Sequence, residues 1–263
     1  MIDDFECMSE TSNKLKKFLD SRKIFKNWLL YFIIYFKLSK SDSEIFETRS
    51  GLKMKIRVNS TDLMQLTTIW VDKEYAIPGF EINENDIIID IGGHVGLFIV
   101  FCKQFCNNGK IFCFEPVKEN YEQCMENIRI NNLQNVNLFN MAVTKKTGEI
   151  PIYLNEDDSG HSIFLKDKKS IKVKSISLED ILLSNKIQHC DLLKIDCEGA
   201  EYEIIESIPE HYFENIDKII IEYHFAKDNP QLFENLIKKL KMVSYSLTIK
   251  KMNDSMGLIY ACK

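Results

Sequence analysis

From Asp86 to the C-terminus, short unbroken apolar runs alternate with stretches whose apolar residues recur every three or four positions. The unbroken runs are "DIIIDIG", "KIFCFEP", "VNLFNMAV", "DLLKID" and "KIIIEYH". Such runs, lacking polar alternation, predict strands covered on both faces, as in a parallel sheet. Between them lie "VGLFIVFCKQFC", "VKENYEQCMENIRINN", "GAEYEIIESI" and "NPQLFENLIKKLKM", which predict helices. In the second of these, Tyr121, Cys124, Met125 and Ile128 fall at i, i+3, i+4 and i+7 and predict its apolar face. Strands alternating with helices imply βαβ units and an α/β fold. "SYSLTIK" and "GLIYACK", joined by "KMNDSM", predict a closing hairpin that puts an antiparallel edge on the sheet.

The rhythm breaks in two places. After the third run, "GEIPIYLNEDDSGHSIFLKDKKSIKVKSI" predicts two strands joined by a polar loop. "SLEDILLSN" then predicts a short helix capped by Ser177, with Asp180 where a capping box usually has glutamate or glutamine. Ahead of Asp86, roughly the first forty residues read as helical. "EIFETRSGLKMKIRV" predicts a strand pair turning at Ser50-Gly51. "STDLMQLTTIWVDKEYAIPGFEINEND" predicts a short helix running into a loop punctuated by Pro78-Gly79.

Composition narrows the class. A chain of 263 residues, 45% hydrophobic and 28% charged, suits one globular α/β domain with a modest extra segment. A formal net charge of -5 gives no reason to expect a nucleic-acid partner. The 8 cysteines include no C-x-x-C pair, so they read as reduced, buried thiols of a cytoplasmic protein rather than as a zinc site. No signal-peptide cleavage pattern follows an apolar region at the N-terminus. The apolar stretch Trp28–Phe36, inside Asn27–Lys40, falls well short of the ~20 residues that span a bilayer. It reads as a helix packed on the main domain; its aromatics and flanking lysines offer a peripheral membrane foot as the alternative.

The chemistry concentrates where the first unbroken run ends. Asp90 is followed at once by Gly92, Gly93 and Gly96, and a helix begins. Ligands of open parallel sheets bind beyond the carboxyl ends of the strands, which is where this corner lies. The dinucleotide pattern G-x-G-x-x-G fails here: with Gly92 in the middle, its first position is Asp90 and its last Val95. An acid in place of the first glycine suits a ligand bearing an ammonium and a sulfonium better than a pyrophosphate. S-adenosylmethionine is such a ligand. Glu115, at the end of "FCFE", can accept both hydroxyls of a ribose, as an acid about 20 residues past such a corner does elsewhere. At the end of the third run, Asn140, Met141 and the small Ala142 are expected near an adenine ring.

These stretches, with "EYAIPGFEI", "NNLQNVNLFNMAV", "SGHSIF", "SISLEDIL", "LLKIDCEGAEYEII" and "IIIEYH", resemble the FkbM family of S-adenosylmethionine-dependent methyltransferases, in the family's order from about Glu74 to His224. The resemblance implies a Rossmann-like class I methyltransferase fold: a seven-stranded, mostly parallel sheet with an antiparallel edge hairpin. It implies a division into an N-terminal extension, 1–72, and a methyltransferase domain, 73–263. It carries the cofactor site onto Asp90, Gly92, Gly93, Gly96, Glu115, Pro116, Ala142 and Asp196, with Glu74 and Tyr75 covering it. Asp196, Glu198 and Gly199 fall on the family's motif at the mouth of the site. The family is best known for O-methylation, yielding S-adenosylhomocysteine, and a small molecule, a glycan or a lipid-linked sugar is the expected acceptor.

Methyl transfer to a hydroxyl needs alignment and a proton acceptor. Asp196, Glu198, Glu222, His224 and His161 are the candidates. Glu222 and His224 share a strand face, and the reference pKa of ~6.5 makes His224 the expected base. Ser159, His161 and Ser162 in "EDDSGHSIF" are the expected substrate contacts. No metal is expected; the alternative is a divalent cation on Asp196, Glu222 and His224. Against the methyltransferase stand two other classes, a nicotinamide-dependent oxidoreductase and a non-catalytic cofactor-binding module. The first is disfavoured by the failed dinucleotide pattern, the second by the intact corner and Glu115.

Overall fold

The computed structural model describes residues 16–153 and 170–263. Residues 16–24 are helical, and Phe25 interrupts them by bridging antiparallel to Thr48. Helix α1 (Leu29–Tyr35) buries Tyr31 and Ile34 and leaves Leu29, Phe32, Ile33 and Phe36 exposed. No helix among the described residues is long and apolar enough to cross a membrane. Strands β1 (Ser43–Glu47) and β2 (Lys53–Arg57) pair antiparallel around the expected turn, and helix α2 (Asp62–Leu66) continues into a π-helical turn at Thr67–Val71.

The alternating part follows as β3 (Ile87–Ile91), α3 (Leu97–Cys102), β4 (Lys110–Phe114), α4 (Lys118–Ile130) and β5 (Val136–Phe139). Three strands, β6 (Ala142–Thr144), β7 (Gly148–Tyr153) and β8 (Ser170–Ser177), form a small side sheet in the order β6-β8-β7. Helix α5 (Leu178–Ser184) starts at Ser177, whose hydroxyl accepts from the Asp180 N–H at 3.0 Å, as the cap predicted. The chain resumes with β9 (Cys190–Ile195), α6 (Glu201–Ser207), β10 (Ile216–Tyr223), α7 (Pro230–Met242), β11 (Ser246–Lys251) and β12 (Gly257–Cys262).

The main sheet has seven strands in the order β11-β12-β10-β9-β3-β4-β5. Its five strands from β10 to β5 run parallel, and β12 runs antiparallel to both its neighbours β10 and β11, which is the Rossmann-like architecture expected. From central β3 the chain winds out to β5, then crosses back to β9 on the other side. Ile88 and Ile89 show why the unbroken runs work. Ile88 packs on the face covered by α3 and the N-terminal segment, Ile89 on the face covered by α5, α6 and α7, because alternate side chains leave opposite faces.

Two local expectations need correcting. The third run is not one strand: it breaks at Asn140-Met141, and β6 leaves the main sheet to pair with β8. The inner stripe of α4 is Asn120, Cys124 and Asn127, while Met125 is exposed. The cause is polar. Asn127 accepts from Lys55 N (2.7 Å) and donates to Lys55 O (2.9 Å) and Val95 O (2.8 Å). Asn131 does the same for Lys53 N and O (2.8 and 2.6 Å). Side-chain amides on a helix thus stand in for a neighbouring strand along the edge of β2, satisfying backbone groups that burial would otherwise strand.

Candidate active site

The sheet reverses direction of winding between β3 and β9, and a ligand crevice is expected beyond their carboxyl ends. An open cleft, about 770 Å³ with its solvent included, lies there. One side is lined by Glu115, Pro116, Asn120 and Ala142; the other by Gly92, Asp196 and Glu198. Of the expected site residues, Gly92, Glu115, Pro116, Ala142, Asp196 and Glu198 meet here.

The glycine corner is shaped by the neighbouring strand as much as by any ligand. Gly92 adopts φ +82°, and a Cβ there would lie 1.6 Å from Asp196 O. Only glycine lets β3 exit this close to the end of β9. Gly93 and Gly96 are likewise packed against Cys113 and Cys124, and neither lines the cleft.

Asp90 also stands apart from the expectation. It is fully buried and does not line the cleft. Its partner is Lys194, the residue directly across from it in the β3–β9 register, with Nζ 3.0 Å from Asp90 Oδ1. Lys194 also donates to Gly92 O (3.1 Å), stands 3.6 Å from Asp196 Oδ2, and faces the rings of Tyr75 and Phe98 at 5.9 and 5.6 Å. Burial pulls the Lys194 ammonium down, but Asp90, Tyr75 and Asp196 together hold it well above the ordinary lysine value. The corner's acid is thus met by a cation of the protein itself. Tyr75 packs over that cation, its hydroxyl pushed well up by burial. Glu74 turns elsewhere: its Oε1 accepts from Lys250 of β11 at 2.7 Å. Neither residue lines the cleft.

Glu115 faces the cleft with its carboxylate set by the backbone. Oε2 accepts from His94 N and Oε1 from Val117 N, both at 2.8 Å. Burial pushes its pKa up to about 7, against the pull of those bonds. His94 comes from the glycine corner, with φ 47°, and its Nε2 lies 3.3 Å from Arg57, which pairs with the buried Asp62. The N-terminal hairpin thereby braces the cleft, a contact that local periodicity does not announce.

At the other end Asp196 and Glu198 line the cleft, and His224 and Glu222, expected beside them, stand behind Glu198 outside the lining. His224 Nε2 lies 3.7 Å from Glu198 Oε2 and 3.6 Å from Glu222 Oε1, while Nδ1 is 2.6 Å from Glu201 Oε1. Burial alone would lower the His224 pKa. Hydrogen bonds to Glu201 and Glu222, with the charges of Glu201 and Glu198, raise it well above the usual histidine value. Around neutral pH these carboxylates favour the protonated form of the ring. Glu198 is the group tuned to that range: burial, opposed by His224, brings it up to about 7. Asp196 is raised too, by burial and then by Glu222. The donor atoms of Asp196, Glu198 and His224 lie within 4.8 Å of one another. This set differs from the alternative metal site read from the sequence by Glu198 in place of Glu222. Ser159, His161 and Ser162 lie outside the described residues.

A family model described as the methyltransferase FkbM domain matches residues 90–247. The chain belongs to the FkbM methyltransferase family. The match spans the sheet from Asp90 to β11 and includes both ends of the cleft. Relatives share little sequence. "Methyltransferase 1" of Beauveria bassiana is 22% identical over 59% of this chain and 70% of its own. A hexuronic acid methyltransferase of Haloferax volcanii is 22% identical over 66% of this chain and 69% of its own. An FkbM methyltransferase structure from Methylobacillus flagellatus aligns with TM-score 0.48 and 14% identity, over 76% of this chain and 53% of that one.

Proposed function

We propose that this FkbM methyltransferase binds S-adenosylmethionine in the cleft and methylates a hydroxyl of a small molecule, glycan or lipid-linked sugar. The observation that carries the reading is Glu115. A buried carboxylate, oriented by two backbone N–H groups and left facing an open cleft at the end of β4, fits the paired hydroxyls of a ribose. The rest of the cleft fits the same nucleoside. Ala142 is small enough to let a flat base lie beside it, and Gly92 keeps side-chain bulk out of the corner. Among the described residues, a pyrophosphate would meet Glu115, Asp196 and Glu198 and no cleft-lining lysine or arginine.

When bound, the cofactor supplies a methyl group already activated on a sulfonium and departs as S-adenosylhomocysteine. The chain's own residues supply position and a proton acceptor. Glu198 lines the cleft, is 29% exposed and has its pKa near neutrality, so it is the group that takes the hydroxyl proton. The Asp90–Lys194 pair, capped by Tyr75 and Phe98, holds the ends of β3 and β9 in fixed register beneath it. The name of the Haloferax relative supports a sugar acceptor. Peripheral membrane contact belongs to the same proposal: Leu29, Phe32, Ile33, Phe36 and Leu38 are exposed beside the exposed Lys37 and Lys40.

Incubation with methyl-labelled S-adenosylmethionine and fractionated glycan, lipid and small-molecule extracts tests the reading. Label should enter a hydroxyl-bearing fraction, and Glu198→Gln should abolish most of it. Label in no fraction, or undiminished transfer by the variant, contradicts it.

A further inference from the structure

Glu201 is the buried neighbour of His224. It opens α6 and is fully buried. A carboxylate is costly in such a place unless both oxygens are satisfied. Here Oε2 accepts from Gly199 N at 2.5 Å and Oε1 from His224 Nδ1 at 2.6 Å. Gly199 belongs to the turn that leaves β9 and carries Asp196 and Glu198; His224 is the residue that follows β10. One side chain therefore ties together the two strand exits that form the mouth of the cleft.

The turn needs tying. Glu198 sits at φ 52° and Gly199 at φ 110°, and the left-handed region costs a non-glycine residue about 1–2 kcal/mol. The bond from Gly199 N–H to Glu201 holds the backbone in that shape. On the β10 side, Tyr202 adds a second tie by donating its hydroxyl to His224 O at 2.5 Å. With Nδ1 and the backbone oxygen both held, the imidazole can only turn its Nε2 towards Glu198 Oε2 and Glu222 Oε1. The groups facing His224 are then Glu201 and Tyr202 from α6, Glu198 from the turn and Glu222 from β10.

We propose that Glu201 is a positioning residue for methyl transfer: by accepting from Gly199 and His224 at once, it holds Glu198 at the cleft with the imidazole ring set against it. The inference rests on the methyltransferase reading above. It also explains why the residue is glutamate. Two N–H donors converge on it, and only a carboxylate offers an acceptor oxygen to each; glutamine would turn an NH₂ group onto one of them.

Glu201→Gln tests this. Its kcat should fall about 10- to 100-fold, while the cofactor dissociation constant stays within about 3-fold, because Glu201 does not line the cleft. Tyr202→Phe, which loses only the backbone tie, should lose less kcat with the same unchanged affinity. Equal kcat in wild type and Glu201→Gln overturns the proposal. A reading free of variants comes from nitrogen NMR of His224 in the wild type. A hydrogen-bonded Nδ1–H at pH 7 supports it, and a bare Nδ1 overturns it even if Glu201→Gln fails to fold. Failure of the functional reading looks different: the wild type itself then transfers no methyl group, whatever the His224 spectrum shows.

Discussion

Lys194 Nζ stands 3.0 Å from Asp90 Oδ1, the two residues facing each other across adjacent parallel strands, both buried. A charged pair taken this far from water is worth little net stability, but breaking it leaves a lone buried charge. Lys194→Met should therefore destabilise the protein by about 3–5 kcal/mol. Adding Asp90→Asn should recover much of that loss. Urea unfolding of the single and double variants measures both; a Lys194→Met protein as stable as wild type would remove the pair from this role.

Asn127 makes a comparable prediction for the N-terminal hairpin. Asn127→Leu keeps the volume but leaves Lys55 N, Lys55 O and Val95 O without that partner. The expected loss is about 2–4 kcal/mol, from buried backbone groups left unsatisfied. Hydrogen exchange at the Lys55 amide should accelerate in step. Unchanged exchange would mean the amide ladder does not hold β2.

Much of the sheet was legible in the sequence because a strand buried on both faces must be apolar along its whole length, and "DIIIDIG" or "KIIIEYH" can be little else. Glu115 was legible because strand ends are where ligands meet such sheets, whereas Asp196 and Glu198 were placed at the mouth of the site by the family resemblance. Lys194 was missed although a lone lysine in "DLLKID" was visible; its meaning depends on which strand lies beside it and in what register. Glu201 was missed because it sits inside a helix whose periodicity explains it as an ordinary polar position. The face of α4 was misread for a related reason: Asn127 is buried by a partner 72 residues away, which no local period encodes.

The pH dependence of stability follows from Glu115 and Glu198, both brought up to about 7. In the unfolded chain a glutamate loses its proton near ~4.3. Between that point and about pH 7 the folded protein holds more protons than the unfolded one, so stability falls as pH rises through this window. His224 acts in the same direction at higher pH, since its pairing is complete below the ordinary histidine value and is lost as pH rises through its elevated one. Unfolding free energies at pH 5.5 and pH 8 should differ less in Glu198→Gln than in wild type. A wild-type protein that gains stability over this range would contradict the assignment of both carboxylates.

The exposed face of α1 gives a prediction of its own. Vesicles containing anionic lipid should sediment the wild-type protein, and Phe32→Ser with Phe36→Ser should weaken this several-fold without changing the fold, since both side chains are 41% exposed or more. Equal sedimentation of the two proteins would leave this face without a membrane role.

The most direct measurement is calorimetric titration of the protein with S-adenosylmethionine, beside NAD and the Glu115→Ala variant. S-adenosylmethionine should bind saturably and NAD not at all, with an affinity for the former at least about 10-fold weaker once Glu115 is gone, as expected for a lost pair of charge-assisted hydrogen bonds. No binding of S-adenosylmethionine by the wild type, or equal affinity without Glu115, would contradict this reading of the cleft.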